Sequence, residues 1–339
     1  MPLPPDFDPD RTAAPDDGAL FGLPFSPDDA AVVVIPVPFE ASAEGEGGAA
    51  DAPAAVLRAS HQVALHDPLL SDHWRHGIAM APVDPSFATL RREATAHAAP
   101  LRSARGTVAP PDAQLRLDAI GEEVNQRVHD ATVRVLERGA IAGVLGGSQS
   151  VAFGAIQALA QRDPGFGILH IDAHADLRDA HQGDTWSPAS AMYNICERID
   201  GVAHVVQLGV RDVSPAEAHY IEVSDKVTTY TDHELGWEMA SGEPWMRIAA
   251  RALRALPERV WVSFDVDGLD PSLCPATPSP VPGGLAWRET QLLLQLLAQD
   301  HRIVGFDLCE VGAAPYDANI GARLLYRLAG WAIDGKVRS

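Results

Sequence analysis

The stretch LHIDAHADLRD, residues 169–179, decides both the fold and the chemistry expected of this chain. It begins as an apolar run that predicts a buried strand, and it then places Asp172, His174 and Asp176 at every second position. Residues i, i+2 and i+4 of an extended segment face one side, so we expect these three side chains to converge. Clustered buried carboxylates repel each other and are costly to desolvate, and a divalent cation removes that cost. The pattern therefore predicts a metal site at a strand end.

A second stretch, VSFDVDGLDPS at 262–272, repeats the pattern with Asp265 and Asp267. Ligands gather at the carboxyl ends of parallel strands, so both stretches are expected to meet at one edge of a sheet. Four carboxylates and one imidazole form a hard, oxygen-rich site that suits Mn²⁺, and bridging carboxylates can hold two ions about 3.5–4 Å apart around an activated water. The alternative is that these are ordinary capping aspartates, and we assign that role to Asp270 alone, because Pro271 follows it in a turn.

Around these motifs, short apolar runs alternate with helical patterns. The runs follow AAVVVIPVPF and lie at 141–147, 165–172, 202–210, 259–267 and 302–311. Helices are predicted at 51–60, about 113–138, 149–161, about 187–199, 242–255, 287–299 and 317–334. This alternation predicts an α/β fold with a mostly parallel sheet covered on both faces. Residues 64–112, which show weak periodicity, are expected to be an insertion or surface loop, and the proline-rich 271–284 to be a functional loop.

The composition of the chain excludes some classes of protein and favours others. The chain has 339 residues, is 46% hydrophobic and carries a formal net charge of -20, which argues against a nucleic-acid partner. An acidic cavity would favour a cationic substrate, although solubility alone also explains the charge. Its three cysteines form no CxxC motif, which favours a reducing, cytoplasmic compartment. Neither a signal peptide nor a membrane span is expected. We expect residues 1–17 to be a flexible leader and residues 18–339 to be a single domain.

The chain resembles the ureohydrolase family, which includes arginase, agmatinase, formimidoylglutamase and guanidino-acid hydrolases. The likeness runs from about residue 31 to 335, and the motifs that carry it are VVIPVPFEAS, GGSQS, DAHAD, LGVRD, SFDVDGLDPS, VPGGL and DLCEV. It implies a three-layer α/β/α arginase-like fold and a binuclear manganese site that hydrolyses a guanidine or amidine carbon, often with release of urea. It also implies a homo-oligomer, either a trimer or a hexamer.

The resemblance implies a role for each motif residue at the metal site. Asp172 and Asp265 would bridge the two Mn²⁺ ions, and His174 and Asp267 would complete the shell of one ion. Asp176 would bind the other ion and hold a bridging hydroxide, which makes it a catalytic residue.

Substrate residues are implied in the same way. Glu310 of DLCEV would bind the guanidinium and count as catalytic, the alternative being a strand-end glutamate paired with an arginine. In RDVSPAE, arginases carry an aspartate where this chain has Ser214, whereas Glu217 is retained. Both are predicted substrate-binding residues, and because of Ser214 an α-amino acid such as arginine is not the expected substrate.

Two departures from the family pattern affect catalysis. Where the family reads GGDHS, this chain has Ser148 and Gln149. The Gln149 amide oxygen can bind Mn²⁺ but is a poorer donor than imidazole, so we expect two ions if it binds and one if it does not. Alternatively, Gln149 simply begins a helix that Ser148 caps. Pro188 stands where the family has a proton-shuttling histidine, and His181 is the nearest substitute, unless it is only a solvated loop residue.

Other residues near the motifs are expected to have structural roles. Ala276 and Pro278 replace glycines of the family loop and should stiffen it. Cys274 and Cys309 are interpreted as packing residues, because no motif histidine accompanies either.

Two functions follow from the sequence. The first is a metal-dependent hydrolase of linear amidines or guanidines, of the agmatinase, guanidino-acid or formimidoylglutamate type, that uses a metal-bridging hydroxide. The second is a catalytically impaired or repurposed arginase-fold protein that keeps a partial metal site and acts as a binding or structural protein.

Overall fold

The computed structural model describes residues 3–4, 7–10, 18–41, 48–70, 72–103 and 111–338. Its central feature is a parallel sheet of eight strands within these residues. The strands are β1 (Val32–Val37), β2 (Ile78–Met80), β3 (Ile141–Gly146), β4 (Phe166–Ile171), β5 (Val202–Val210), β6 (Val227–Thr231), β7 (Arg259–Asp265) and β8 (Arg302–Cys309). Their order across the sheet is β2-β1-β3-β8-β7-β4-β5-β6.

Helices cover both faces of the sheet. Those described are α1 (Ala52–Ser60), α2 (Ser86–Ser103), α3 (Pro111–Glu137), α4 (Ala152–Arg162), α5 (Ala191–Arg198), α6 (Pro215–Val223), α7 (Asp232–Ala240), α8 (Trp245–Leu253), α9 (Trp287–Asp300) and α10 (Pro315–Arg338). One core cluster contains buried residues of α1 and α7–α10, and the other contains those of α2–α5. Alternate residues of β1 enter opposite clusters, Val32 and Val34 one, Val33 and Ile35 the other. The predicted three-layer α/β/α fold is confirmed, and double-sided burial explains the continuous apolar runs.

The expectation of an irregular segment at 64–112 is wrong for most of that range. It contains the edge strand β2 and the helix α2, which packs against α3. The buried face of α2 consists of Phe87, Leu90 and Leu101 with the alanines 94 and 98, and the small alanines weaken the hydrophobic period. Residues 71 and 104–110 lie outside the described residues.

Elements of the sheet's other edge were also missed. The edge strand β6, with the sequence VTTYT, is mostly half-buried, and the short helices α6 and α7 flank it. Such a strand carries little of the apolar pattern on which sequence assignment depends.

Most of the predicted leader, residues 1–2, 5–6 and 11–17, lies outside the described residues. Phe7, which belongs to the described part, packs its ring 5.6 Å from that of Trp74. The division into a leader and one domain stays a prediction. No helix within the described ranges is long and apolar enough to cross a bilayer.

Neighbouring strands end beside the chemistry-bearing motifs. Five adjacent strands each lead into a segment with one residue of these motifs. In their order across the sheet, the pairs are β1 with Glu40, β3 with Gln149, β8 with Glu310, β7 with Asp267 and β4 with Asp172. Because all strands are parallel, these segments share one edge of the sheet, as expected of a ligand site in an open α/β fold.

Candidate active site

The DAHAD loop brings its polar residues together, but not in the predicted way. Strand β4 ends at Ile171, and the backbone of Asp176 adopts a positive φ of 56°. The extended geometry expected for 172–176 is therefore wrong, because the chain leaves the sheet and turns. Ligand atoms of Asp172, His174 and Asp267 still lie within 4.8 Å of one another, as do those of His170, Asp172 and Asp176.

His174 lies between two carboxylates. Its Nδ1 is 3.0 Å from Asp267 Oδ2 and 3.4 Å from Asp172 Oδ1. Backbone N–H groups fix both acids, since His174 N donates to Asp172 Oδ1 at 2.6 Å and Ala173 N donates to Asp267 Oδ1 at 2.9 Å. Burial would lower the pKa of His174, but its hydrogen bonds to these carboxylates raise it to about 12. The two carboxylates thus strongly stabilise a positive charge placed between them.

The other buried carboxyl groups would also be stabilised by a nearby positive charge. Burial, followed by repulsion from neighbouring carboxylates, raises the pKa of Asp176 and Asp265 well above the usual range and also raises that of Asp267. Burial, followed by the charge of Glu40, raises the pKa of Glu310 to about 8. These carboxylates fit a site built to receive cations rather than a set of solvated capping residues.

A cavity of about 350 Å³ opens over these residues. Five of the predicted site residues line it, namely His174, Asp176, Asp265, Asp267 and Glu310. Asp172 and Gln149 do not line the cavity and are almost fully buried, at 1% and 0% exposure. Glu310, like Asp176, has a positive φ, 57°, and such conformations in non-glycine residues cluster at functional sites.

Gln149 is held by its amide nitrogen. Nε2 donates to Ser263 Oγ at 2.7 Å and to Asp307 Oδ2 at 3.3 Å. These two acceptors determine which end of the amide is nitrogen. If the amide were flipped, its oxygen would face the oxygen of the Asp307 carboxylate. Oε1 is buried and has no hydrogen-bond partner among the described residues. A buried carbonyl oxygen left without a donor is a ready metal ligand, so Gln149 fits the ligand position that a histidine would otherwise occupy.

Gln149 also begins a helical segment, as the alternative interpretation expected. A 3₁₀ turn, Gln149–Val151, precedes α4, and the Ser148 side chain caps it by accepting from Ser150 N. The helix start and the unpartnered Oε1 are compatible, because the first uses the backbone and the second belongs to the side chain.

The support for Gln149 was missed in the sequence. Ser263 and Asp307 are register partners on β7 and β8, and Ser263 Oγ donates to Asp307 Oδ2 at 2.9 Å. Trp261 Nε1 donates to Asp307 Oδ1 at 2.6 Å. Burial raises the pKa of Asp307 to about 6. The available signal was an aspartate inside an otherwise apolar strand.

A second missed chain of polar residues reaches Asp172. Thr229 Oγ1 donates to Gln207 Oε1 at 2.7 Å, which leaves Gln207 Nε2 to donate to Ala175 O at 2.7 Å. The same Nε2 lies 3.0 Å from His170 Nδ1, so that ring nitrogen is the acceptor and Nε2 of His170 carries the proton. His170 Nε2 lies 3.0 Å from Asp172 Oδ2. This chain holds the His170 ring beside the Asp172 carboxylate, beneath the cavity.

We expect His170→Phe to weaken Mn²⁺ binding by about 10–100-fold, because groups that orient a ligand typically contribute that much to metal affinity. Calorimetric titration of chelated protein with Mn²⁺ measures the effect. His204→Phe is the control, since His204 lies on β5 and bonds to Thr228 rather than to the cavity residues. Equal affinities in the two variants would show that His170 does not support the site.

The predicted substrate-binding pair Ser214 and Glu217 is placed elsewhere. The two side chains form the capping box of α6, with Ser214 Oγ donating to Glu217 Oε2 at 2.6 Å. Glu217 Oε1 accepts from Leu177 N at 3.2 Å, and Arg178 Nε lies 3.3 Å from Glu217 Oε2. Neither residue lines the cavity. Glu217 thus holds the loop that follows Asp176, and Ser214 is bonded to Glu217. Their contact with a substrate stays a prediction.

The cavity wall contains both residues that were considered at the position of a proton-carrying side chain. Pro188 and His181 line it, and His181 Nδ1 lies 3.1 Å from Arg178 Nη1. The predicted functional loop lines it as well, through residues 278–281. This loop is anchored, since Thr277 Oγ1 donates to Glu310 O at 2.8 Å. All three cysteines are free and buried and lie outside the wall, and this fits the packing role expected of Cys274 and Cys309.

Comparisons with known proteins identify the family of this chain. A model of the arginase family matches residues 30–333. The N(1)-aminopropylagmatine ureohydrolase of Thermus thermophilus is 31% identical over 315 residues, which cover 92% of this chain and 94% of that protein.

Solved structures share the fold. The agmatine ureohydrolase of Thermoplasma volcanium superposes with a TM-score of 0.70 at 21% identity, covering 93% of this chain and 94% of that one. Proclavaminate amidinohydrolase from Streptomyces clavuligerus gives 0.71 at 20% identity, covering 94% and 97%. With the family match spanning nearly the whole sheet and both motif strands, the chain belongs to the arginase family.

Proposed function

We propose that this protein is a metal-dependent hydrolase that cleaves a guanidino compound into urea and an amine. The observation that carries the proposal is the convergence of buried carboxylates, whose pKa values are raised, on one cavity together with Glu310. Its family supports the reaction class, because the similar proteins named above are ureohydrolases and an amidinohydrolase.

The residues that would hold Mn²⁺ are Gln149, Asp172, His174, Asp176, Asp265 and Asp267. The orphan Oε1 of Gln149 supports an occupancy of two ions rather than one. Bound there, the ions supply an activated water as the nucleophile at neutral pH.

The side chains of the cavity account for the remaining steps. Glu310 pairs with the guanidinium, and its Oε1 is held by the backbone N–H of Gln149 at 2.9 Å. Asp176 accepts a hydrogen bond from the attacking water and so orients its oxygen toward the guanidinium carbon. A C–O bond forms, the C–N bond to the alkyl nitrogen breaks, and the departing amine takes up a proton.

The proton for the amine needs a carrier within reach of the cavity. Pro188 cannot titrate, whereas His181 lines the same wall. We assign His181 this role. Overall, water and an alkylguanidinium give urea and an alkylammonium ion, so atoms and charge balance.

The second candidate is a repurposed protein that binds a cation without turnover. The observation that favours it is Pro188 in the wall of the cavity, where the family pattern has a histidine. Proton transfer by a side chain is typically worth about 10²–10⁴-fold, so loss of one carrier slows turnover without abolishing it. The hydrolase proposal is therefore preferred.

The test is urea release by protein loaded with Mn²⁺, compared with the same protein after chelation. The panel contains an alkylguanidine without a carboxylate, a guanidino acid and arginine, together with formimidoylglutamate, for which formamide is measured in place of urea. We expect urea from the alkylguanidine and little from arginine, and none after chelation. Metal-loaded protein that releases no urea from any guanidine would overturn the hydrolase proposal in favour of the binding protein.

A further inference from the structure

Glu40 is a buried carboxylate that neither the metal site nor the reaction described above uses. It follows β1 in the sequence VPFE, is 6% exposed and lines the same cavity as Glu310. Its Oε2 accepts from Ala50 N at 3.2 Å. Its Oε1 has no hydrogen-bond partner within the described part of the chain. A buried carboxylate oxygen without a donor is costly, so it points to a ligand that supplies one.

The backbone holds Glu40 and Glu310 on either side of the GGSQS segment. Ser148 N donates to Phe39 O at 2.9 Å, and Glu310 N donates to Gly147 O at 2.8 Å. Their strands β1 and β8 both neighbour β3, and adjacent strands lie about 4.8 Å apart. The two carboxylates thus leave the sheet roughly 10 Å apart at the backbone and reach one cavity.

Charges around the cavity are one-sided. Six carboxylates line it, and Mn²⁺ would offset the charge of the three assigned to the metal site, Asp176, Asp265 and Asp267. The carboxylates of Glu40, Asp212 and Glu310 remain. The one arginine in the wall, Arg178, lies 3.3 Å from Glu217 and 3.1 Å from His181. A substrate that carries its own carboxylate would meet repulsion here, whereas a cation without one would be attracted.

We propose that Glu40 and Glu310 clamp the two edges of a single guanidinium group and so make this site selective for guanidines. This inference rests on the proposed function. A substituted guanidinium has five N–H donors in one plane, and one carboxylate takes two of them along one edge. Glu310 binds one edge, and Glu40 Oε1 accepts from the amino group that remains.

The clamp also decides between guanidines and formimidoyl groups. A formimidoyl group has a C–H where a guanidinium has its second amino group, so it leaves Glu40 Oε1 buried and unpaired. Sites built to receive a hydrogen bond reject an analogue that lacks it strongly, by up to about 10⁴-fold. Glu40 is therefore a specificity residue that favours guanidines.

The test compares two small cations of similar size, methylguanidinium and N-methylformamidinium, by calorimetric titration of Mn²⁺-loaded protein. We expect the unmodified protein to bind methylguanidinium at least tenfold more tightly. In Glu40→Gln this preference should fall below threefold, and KM for the guanidino substrate should rise about tenfold with kcat changed less than threefold. Asp212→Asn removes a different wall carboxylate and should keep the preference.

The outcomes distinguish a failure of the proposed clamp from a failure of the proposed hydrolysis. A preference retained in Glu40→Gln, or lost equally in Asp212→Asn, overturns the clamp even if urea is released. Absence of urea release with a preference that depends on Glu40 overturns the hydrolase proposal and supports the clamp. If Glu40→Gln does not fold, Glu40→Asp keeps the charge and withdraws the carboxylate by one methylene, and an unchanged preference there also overturns the clamp.

Discussion

Replacing Glu310 with glutamine is expected to lower kcat/KM for a guanidino substrate by about 10²–10³-fold, or about 3–4 kcal/mol of transition-state stabilisation. Glutamine has the same shape, and its Oε1 can still accept from Gln149 N, as Glu310 Oε1 does at 2.9 Å. The charge that pairs with the guanidinium is lost, and the amide nitrogen replaces the oxygen that would accept from it. Because the group is buried, no water replaces that charge.

Steady-state urea release measures the effect, and circular dichroism confirms the fold. Asp270→Asn is a suitable control, since Asp270 accepts from Ser272 N in an exposed turn and does not line the cavity. A Glu310→Gln variant within threefold of the unmodified protein would contradict the assignment of Glu310 to the cation.

The second large effect is expected at Gln149. Gln149→Leu removes the orphan Oε1, and we expect one of the two Mn²⁺ ions to bind at least 10²-fold more weakly, with a loss of activity of similar size. The fold should persist, because Asp307 still accepts from Trp261 and Ser263 when the Gln149 donor is gone. A calorimetric Mn²⁺ titration measures the change.

Gln149→His provides the opposite comparison. One imidazole nitrogen can take the position of Oε1 while the other donates toward Asp307, so this variant should bind the weaker ion more tightly than the unmodified protein. If the leucine and histidine variants bind Mn²⁺ alike, Gln149 is not a ligand.

Local patterns predicted the six inner strands of the sheet and most of the cluster, but not the edge strands β2 and β6. Six apolar runs and the motifs DAHAD and DVD at strand ends were enough for this, because strands buried on both faces are continuous apolar runs and parallel strands end on one side. The deviation came at Asp176, whose positive φ lies in a loop that no two-residue alternation describes. The residues still converge because the fold positions the loop, not because the segment is extended.

Residues identified only by the structure have a different origin. Glu40, His170 and Asp307 are polar residues in or beside apolar strands, and their importance lies in partners distant in sequence, such as Gln149 for Asp307 across 158 positions. Ser214 and Glu217 illustrate the converse, since their spacing of three is that of a capping box, and this local role accounts for their side chains. The trimeric or hexameric assembly stays a prediction.

One measurement tests the central claim most directly: Mn²⁺ is added stepwise to chelated protein, and bound metal per chain and urea release from an alkylguanidine are determined in the same samples. The account predicts that binding saturates at two ions per chain and that urea release rises with the second ion. Protein that binds no Mn²⁺, or whose urea release does not depend on bound metal, would contradict it.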